Sequence, residues 1–271
     1  MITIVTDSSS YFKKDEAQEL GIRVIPNNYC VDGRGYNESF SDRNGDFESL
    51  LKGKGTTSHP NISAFLSCFE EEIRKGNEVL CITISSRLSG AYGTAHMAAK
   101  QTGSNGIAVF DSLFTAGGLY LLVKEAKKLI EKGITLEEIL KELPTIRDRI
   151  AIVFSVDDMT PLRKSGRIGF VRMSVGTFLN IKPILLCKDG SVVSEGVARG
   201  NAEIIKSFIA KISADTQKTV ISYLGDNGLA TNLYHIIKKT FPHIAITLQK
   251  AGPVLGIHLG RKVIAVSFIN Q

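Results

Sequence analysis

The stretch of sequence that decides the fold is Val79-Leu80-Cys81-Ile82-Thr83-Ile84-Ser85-Ser86-Arg87-Leu88-Ser89-Gly90-Ala91-Tyr92. Its first six residues form a largely apolar run, which is typical of a strand buried in a parallel sheet. A polar turn follows, and it leads into a helix predicted over about residues 89–99. A buried strand that passes through a turn into a helix is the repeating unit of an α/β sheet.

The same alternation continues on both sides of this stretch. Further strands are predicted at residues 2–6, 22–26 and 107–110, and further helices at residues 13–20, near 62, 113–132 and 136–143. Gly133 and Pro144 are expected to end the last two helices. The rhythm of strand and helix therefore predicts an N-terminal α/β domain with a doubly wound, mostly parallel sheet.

The pattern changes after a strand predicted at residues 150–156. Two β-rich runs, residues 181–187 and 191–198, flank Asp189-Gly190 and predict a hairpin. Helices are then expected at residues 202–212 and 230–241, and strands at 219–223, 244–249 and 263–268. A chain of 271 residues is long enough for two modest domains. We predict an N-terminal domain over residues 1–158, a C-terminal α+β domain over residues 159–271, and a ligand cleft between them.

Composition and charge exclude several classes of protein. The 33 basic and 27 acidic residues give a mild net charge of +6 without a basic run, so we expect no nucleic acid partner. The four cysteines contain no CxxC pair, which argues against zinc ribbons and thioredoxin-type sites and favours a reducing compartment. The chain shows no signal-peptide pattern and no apolar run long enough to span a bilayer. These features predict a cytoplasmic location.

Four polar turns stand out as candidate binding elements. They cover residues 6–10, 56–60, 85–92 and 111–112. We expect them at one edge of one sheet, where α/β proteins bind ligands. Hydroxyl groups and backbone N–H groups at helix starts favour a carboxylate or phosphate. Simple helix capping is the alternative explanation for each turn taken alone.

Motifs for catalysis are missing from the sequence. Residues 53–57, Gly-Lys-Gly-Thr-Thr, only superficially suggest a P-loop, because Gly55 follows the lysine where that motif has Ser or Thr. The chain has no GxSxG motif, and its five histidines lack the spacing of metal ligands. We therefore predict no catalytic residue, no metal and no cofactor.

Two segments in the second half leave alternatives open. Residues 163–168, which contain Arg167, read either as a solvated turn or as part of a site. His258 lies in an otherwise apolar run, where it is either a hydrogen-bonded core residue or a donor to an acid in the cleft.

Taken together, these segments resemble the DegV family, which are fatty acid-binding proteins of bacteria. The resemblance covers nearly the whole chain. It rests on residues 6–9, 57–60, 84–92, 111–112, 162–168, 181–184, 189–190 and 256–260. Each piece is short, but their order and separations make the match specific.

The resemblance implies both a function and a set of site residues. It implies one long-chain fatty acid held between two domains, with the tail in an apolar tunnel. The carboxylate would be held by Thr57, Ser58, Ser89 and Gly90, with Arg167 and His258 near the mouth of the site. The protein would be a non-catalytic subunit that presents the carboxylate to a separate ATP-dependent fatty acid kinase for phospholipid synthesis. Transient contact with a membrane surface is also compatible with the mild positive charge.

Alternatives to this function are an enzyme or a regulatory module that acts on another acidic, lipid-like small molecule. The sequence also departs from the family pattern. His59 stands where Gln is frequent, Ala91 where Thr is usual, and Ser165 where Gly is frequent. The largest departure is Arg261-Lys262 in place of Pro-Gly, in a loop that bears on pairing with a kinase.

Overall fold

The computed structural model of the protein describes residues 1–168 and 181–271, and these residues form three β-sheets surrounded by helices. The strands are β1 Ile2–Asp7, β2 Ile22–Ile25, β3 Asn27–Val31, β4 Arg34–Glu38, β5 Gly55–Ser58, β6 Glu78–Thr83, β7 Ile107–Asp111, β8 Ile150–Val156, β9 Ile181–Lys188, β10 Ser191–Arg199, β11 Lys218–Leu224, β12 Ala245–Lys250 and β13 Val263–Ile269. The helices are α1 Lys14–Glu19, α2 Ile62–Arg74, α3 Ala91–Thr102, α4 Ala116–Glu131, α5 Leu136–Asp148, α6 Thr160–Ser165, α7 Gly200–Ile209, α8 Gly228–Thr240 and α9 Pro253–Leu259.

The first sheet is the predicted parallel sheet, with strand order β2-β1-β6-β7. Successive side chains of β6 point to opposite sides of the sheet. Both faces of the strand are covered, so its side chains are buried on both sides. Leu80 and Ile82 pack in the cluster that contains α4, whereas Val79 and Cys81 pack against α2 and α3. The doubly wound α/β arrangement is therefore confirmed.

The second sheet is a mixed six-stranded sheet with order β10-β9-β8-β13-β11-β12. The predicted hairpin of β9 and β10 is confirmed, and both turn residues, Asp189 and Gly190, have positive φ as a type I′ turn requires. Strand β8 belongs to this sheet, because it pairs with β13 along its whole length. The sheets thus divide before β8, while the predicted domain boundary after residue 158 stays a prediction.

The third sheet, β4-β3-β5, is antiparallel and was not predicted. Its strands are short and mostly polar, so they lack the apolar alternation that marks a strand in sequence. In this sheet Asn27 lies opposite Glu38, and Tyr29 lies opposite Thr57. The sheet matters for function because β5 carries Thr57 and Ser58.

The prediction that Pro144 ends its helix is wrong, because α5 continues through it to Asp148. Proline costs the helix one hydrogen bond. Leu143 and Ile146, on either side of the proline, are buried in the main core. Their packing keeps the last turn helical, which shows tertiary contacts outweighing local propensity.

Two short helices, α6 and α9, were also not predicted from the sequence. Each has a proline in its first turn, Pro161 and Pro253, where a missing N–H costs nothing. The two helices contact each other. Neither they nor any other helix of the described parts of the chain is long and apolar enough to cross a membrane.

Candidate functional site

A cavity of about 350 Å³ lies between the parallel sheet and the six-stranded sheet. This volume is within the range of sites for small organic molecules. Its wall is largely apolar, with the following side chains: Ile84, Leu88, Ala116, Ile152, Phe154, Leu162, Val192, Ala251, Val254, Leu255, Leu259, Val263 and Ala265. A cavity with such a wall favours a ligand with a hydrocarbon part.

All six residues predicted from the sequence line this one cavity. They are Thr57, Ser58, Ser89, Gly90, Arg167 and His258. They come from four separate segments of the chain: strand β5, the turn after β6, the residues after α6, and helix α9. The fold therefore brings together residues that are far apart in sequence, and their role in binding stays a prediction.

Thr57 and His258 form a hydrogen-bonded pair at the cavity wall. The Thr57 Oγ1 atom lies 2.6 Å from His258 Nε2, across 201 positions of sequence. Burial, together with the nearby positive charge of Arg167, lowers the pKa of His258 to about 4. The imidazole is therefore neutral at neutral pH, and it acts here as a hydrogen-bonding partner rather than as a cation.

Arg167 supplies positive charge at the rim. Its Nε atom donates to the Leu88 carbonyl at 3.4 Å, and one terminal nitrogen donates to the Ser165 carbonyl at 2.5 Å. These bonds tie an exposed guanidinium to the turn that precedes α3. An arginine is always charged and presents five N–H donors, of which the described residues engage two.

The turn at residues 85–90 is fixed by contacts from several directions. Ser85 Oγ donates to the Gly190 carbonyl at 2.8 Å, which joins this turn to the β9–β10 hairpin. Ser86 N donates to Asp111 at 3.1 Å. Ser89 Oγ accepts from Ala91 N at 3.3 Å, which leaves its own O–H as a donor. The hydroxyl is thus held in place with its proton available.

Gly90 follows Ser89 and directly precedes α3 as its N-cap, and the ring of His59 lies directly over it. A Cβ at this position would lie 2.7 Å from His59 Cδ2, so only glycine fits without a shift. His59 Nδ1 also lies 3.2 Å from Thr94 Oγ1 on α3. His59 therefore joins the β5 segment to the start of α3, and with them the two parts of the predicted carboxylate site.

The four polar turns do not share one sheet edge as predicted. Those that follow β1, β6 and β7 do, because these strands are parallel neighbours. Thr57 and Ser58 lie instead in the separate antiparallel sheet. Asp7 is fully buried and accepts from Ile84 N at 2.7 Å, while Asp111 accepts from the backbone of two turns. These two aspartates stabilise the loops beside the cavity.

The side chains around Ser89 do not form a nucleophile–base pair among the described residues. His258 bonds to Thr57, His59 contacts Thr94, and the His96 ring stacks on Tyr92. Within residues 1–168 and 181–271, no cluster of three or more His, Cys, Asp or Glu side chains is placed to hold a metal ion.

Several cavity residues were missed by sequence reasoning. Asn27, Ser222 and Tyr223 line the wall, and Cys187 lies in it with a pKa raised to about 12 by burial. None of them belongs to a motif. Their placement depends on where β3, β9 and β11 lie in their sheets, so the sequence held no signal for them.

A larger, open cleft of about 1360 Å³ adjoins the cavity and shares Thr57, Arg167 and His258 with it. Both basic and acidic side chains line this cleft: Lys52, Lys54, Lys164, Arg261 and Lys262, and Asp46, Glu48, Asp157, Asp158 and Asp226. The unusual Arg261-Lys262 pair thus faces the cleft outside the polar end of the cavity.

Comparison with known proteins places this architecture in a family. A family model described as "Uncharacterised protein, DegV family" matches residues 1–271. The chain belongs to the DegV family. A DegV domain-containing protein of Halalkalibacterium halodurans is 31% identical over 276 residues, covering 98% of each chain. A DegV domain-containing protein of Streptococcus pyogenes is 30% identical over 273 residues, covering 98% of this chain and 97% of the relative.

Solved DegV structures share the whole fold. The DegV protein of Thermus thermophilus, described by its fatty acid binding, is 30% identical with a TM-score of 0.88, and the match covers 100% of this chain and 99% of that one. A stearic acid-binding protein of Eubacterium ventriosum is 21% identical with a TM-score of 0.88, over 100% and 98% of the two chains. At that identity the likeness concerns the fold alone.

Proposed function

We propose that this DegV protein binds one long-chain fatty acid, with the hydrocarbon tail in the apolar cavity and the carboxylate at Thr57, Ser58, Ser89 and Gly90. One observation carries the proposal: a single cavity combines an apolar body with hydroxyl groups, a helix start and an arginine at one end. The fatty acid binding described for the Thermus thermophilus relative supports it.

The two ends of the ligand would contribute differently to binding. Burying about 14 methylene groups at ~0.8 kcal/mol each gives roughly 11 kcal/mol as an upper bound for the tail. Ordering the chain reduces this value, yet the tail remains the main source of affinity. A buried carboxylate costs several kcal/mol unless donors meet it. The hydroxyls of Thr57 and Ser89 and the N–H of Gly90 would offset that cost and fix the orientation.

The neutral His258 has a specific part in this arrangement. With Nε2 protonated, the imidazole donates to Thr57 Oγ1, and the Thr57 hydroxyl is then directed toward the ligand. His258 would thus select the donor state of Thr57, while Arg167 supplies the charge that keeps the carboxylate ionised. Both residues would act on orientation more than on tail binding.

Presentation to a separate kinase completes the proposal. The open cleft adjoins the polar end of the cavity, so a carboxylate held there would be reachable from outside. A carboxylate oxygen would attack the γ-phosphorus of ATP held by the kinase, giving an acyl-phosphate and ADP. The DegV protein itself would be non-catalytic, and its mild net charge of +6 would also suit transient contact with an anionic membrane surface.

Binding is tested by mass spectrometry on protein purified under native conditions and by uptake of added hexadecanoic acid. We expect a bound acyl chain in the first case and one molecule taken up per chain in the second. Ala265→Phe should abolish uptake because it fills the cavity, whereas Val197→Phe on the exposed face of β10 should not. Absence of any acyl chain together with no uptake would overturn the proposal.

The non-catalytic role is tested separately. The isolated protein, loaded with hexadecanoic acid and given ATP and Mg²⁺, should form no acyl-phosphate, as measured by trapping with hydroxylamine. A fatty acid kinase added to the same mixture should restore product. Product formation without the kinase would identify the chain as an enzyme.

A further inference from the structure

Glu38, the last residue of β4, is a fully buried acid that the proposed carboxylate site does not use. Both of its carboxyl oxygens are engaged. Ser8 Oγ donates to Oε1 at 3.1 Å, and Val254 N donates to Oε2 at 2.9 Å. The residue thus joins the turn after β1 to the start of α9.

The contact with Val254 fixes the first turn of α9. The N–H groups of a first turn have no acceptor within the helix, so an outside acceptor is required when they are shielded from water. Gly252 precedes the helix, and a Cβ there would overlap the Glu38 carboxylate. The start of α9 therefore rests directly on Glu38.

Helix α9 carries the residues that shape the polar end of the cavity. Val254 and His258 are four residues apart, so they lie on one face of the helix, one turn from each other. His258 bonds to Thr57, and Leu255 and Leu259 line the cavity wall. A displacement of Val254 would move all three.

The other carboxyl oxygen of Glu38, Oε1, is connected through Ser8 to the turn that contains Ser89. Ser8 Oγ accepts from Asn27 Nδ2 at 2.9 Å, and the same amide donates to Asp7 at 3.2 Å. Asp7 in turn accepts from Ile84 N, at the start of the turn that contains Ser89. One buried hydrogen-bond chain thus connects Val254 to Ile84 beneath the cavity.

We propose that Glu38 is a positioning residue for the carboxylate end of the ligand, acting through α9 to hold His258 against Thr57. This inference rests on the proposed function for the identity of the ligand. The contacts of Glu38 with Ser8 and Val254 do not depend on it. The pKa of Glu38 is raised to about 8, chiefly by burial and in part by the charge of Asp7, while the bonds from Val254 and Ser8 oppose the rise. Glu38 is therefore mostly protonated at neutral pH. Glutamine is neutral too, and it keeps an oxygen to accept from Val254 N while its NH2 group replaces the oxygen beside Ser8 Oγ.

The first experiment compares affinities for hexadecanoic acid and hexadecanol, by competition against a fluorescent fatty acid. The unmodified protein should prefer the acid about tenfold or more, because only the acid uses the donors at the polar end. Glu38→Met should reduce this preference to about threefold or less, and Glu38→Gln should keep it.

The control is Glu72→Met. Glu72 is also buried and accepts hydrogen bonds, from Thr3 and Asn77, but it lies on α2 away from the cavity. This variant should lose stability and keep the preference. A full preference in Glu38→Met, or an equal loss in Glu72→Met, would overturn the inference. No preference in the unmodified protein would instead overturn the proposed carboxylate site.

The second experiment needs no ligand. NMR titration of the free protein should place His258 near pH 4 in the unmodified chain and in Glu38→Gln, because the imidazole is buried. In Glu38→Met the value should rise toward the ordinary 6.5 as α9 loosens. An unchanged His258 titration in Glu38→Met would contradict the positioning role.

Hydrogen exchange on the unmodified protein covers the case in which Glu38→Met fails to fold. The Val254 N–H should exchange at least about 100-fold more slowly than an unprotected amide, because it is bonded to a buried acceptor. Exchange at the unprotected rate would show that Glu38 does not hold α9.

Discussion

Two serine-rich turns of this protein lie beside the cavity and differ in their burial. The turn at residues 7–10 follows β1, and the turn at residues 85–90 follows β6, its parallel neighbour in the same sheet. Residues 8–10 are fully buried, whereas Ser89 is half-buried and Gly90 is exposed at the cavity. The first turn mainly supports the site and contributes Ser9 to the cavity wall, whereas the second supplies Ser89 and Gly90 of the predicted carboxylate site.

The difference lies in what covers each turn. Ser8 contacts Glu38 from β4, and Gln249 of β12 donates to the Ser10 carbonyl at 3.0 Å. These later segments close over the first turn, and the hydroxyl of Ser9 donates to Asp7 within the turn itself. Over the second turn, the six-stranded sheet leaves a cavity instead. A polar turn at a sheet edge is therefore a support or a site depending on the segments that pack on it.

The largest expected effect comes from removing the centre of the first turn. Asp7→Ala would leave buried donors unpaired, among them Ile84 N and Ser9 N, because Asp7 accepts from both. We expect a loss of about 3 to 5 kcal/mol in the free energy of unfolding. Urea denaturation measures it. A loss below about 1 kcal/mol would show that the buried network contributes little to folding.

The next effect is the pH dependence of the free energy of unfolding, which comes from Glu38, the acid that accepts from Ser8 of the first turn. The folded-state pKa of Glu38, about 8, lies above its ordinary 4.5. Its contribution to stability is therefore present below about pH 4.5 and is lost as pH rises through about 8. The slope amounts to at most about 1.4 kcal/mol per pH unit. Glu38→Gln should flatten the unfolding free energy across this window. A slope identical to that of the unmodified protein would contradict the raised pKa.

A smaller effect is expected at the second turn. Ser89→Ala removes a half-buried hydroxyl, so the free energy of unfolding should change by no more than about 0.5 kcal/mol. Affinity for hexadecanoic acid should fall by roughly tenfold, which corresponds to one charge-assisted hydrogen bond. Phosphorylation by a fatty acid kinase should weaken more than tail binding does. Complete loss of both would make Ser89 structural, like the residues of the first turn.

The smallest effect tests the contact between His59 and Gly90. Gly90→Ala should cost about 1 kcal/mol, because the new Cβ meets the His59 ring, whose exposed end is able to shift. The double variant with His59→Ala should recover most of that cost. Unfolding measurements on both single variants and the double variant give the coupling. Strict additivity would show that the ring does not constrain Gly90.

Elements of the fold were predictable from the sequence where a local pattern of residues marks them. Strands β6 and β13 and the β9–β10 hairpin were predictable, since apolar runs and an Asp-Gly turn mark them locally. The sheet of β3, β4 and β5 was not, because its strands are short and polar. The resemblance to the family supplied the six site residues, and the fold places them around one cavity. Neither source indicated Glu38.

The sequence by itself determined the local elements of this protein: which runs are buried strands, where most helices lie, and which turns are polar. Only the tertiary structure decided that the turn at residues 7–10 is buried while Ser89 and Gly90 of the turn at residues 85–90 stay open to the cavity. It also brought Thr57 to His258 and made that imidazole neutral by burying it beside Arg167. The physical reason is the separation in sequence of the residues that interact. Patterns of neighbouring residues encode backbone conformation and burial. The hydrogen bonds and the desolvation at the site depend on segments that meet only after the chain has packed.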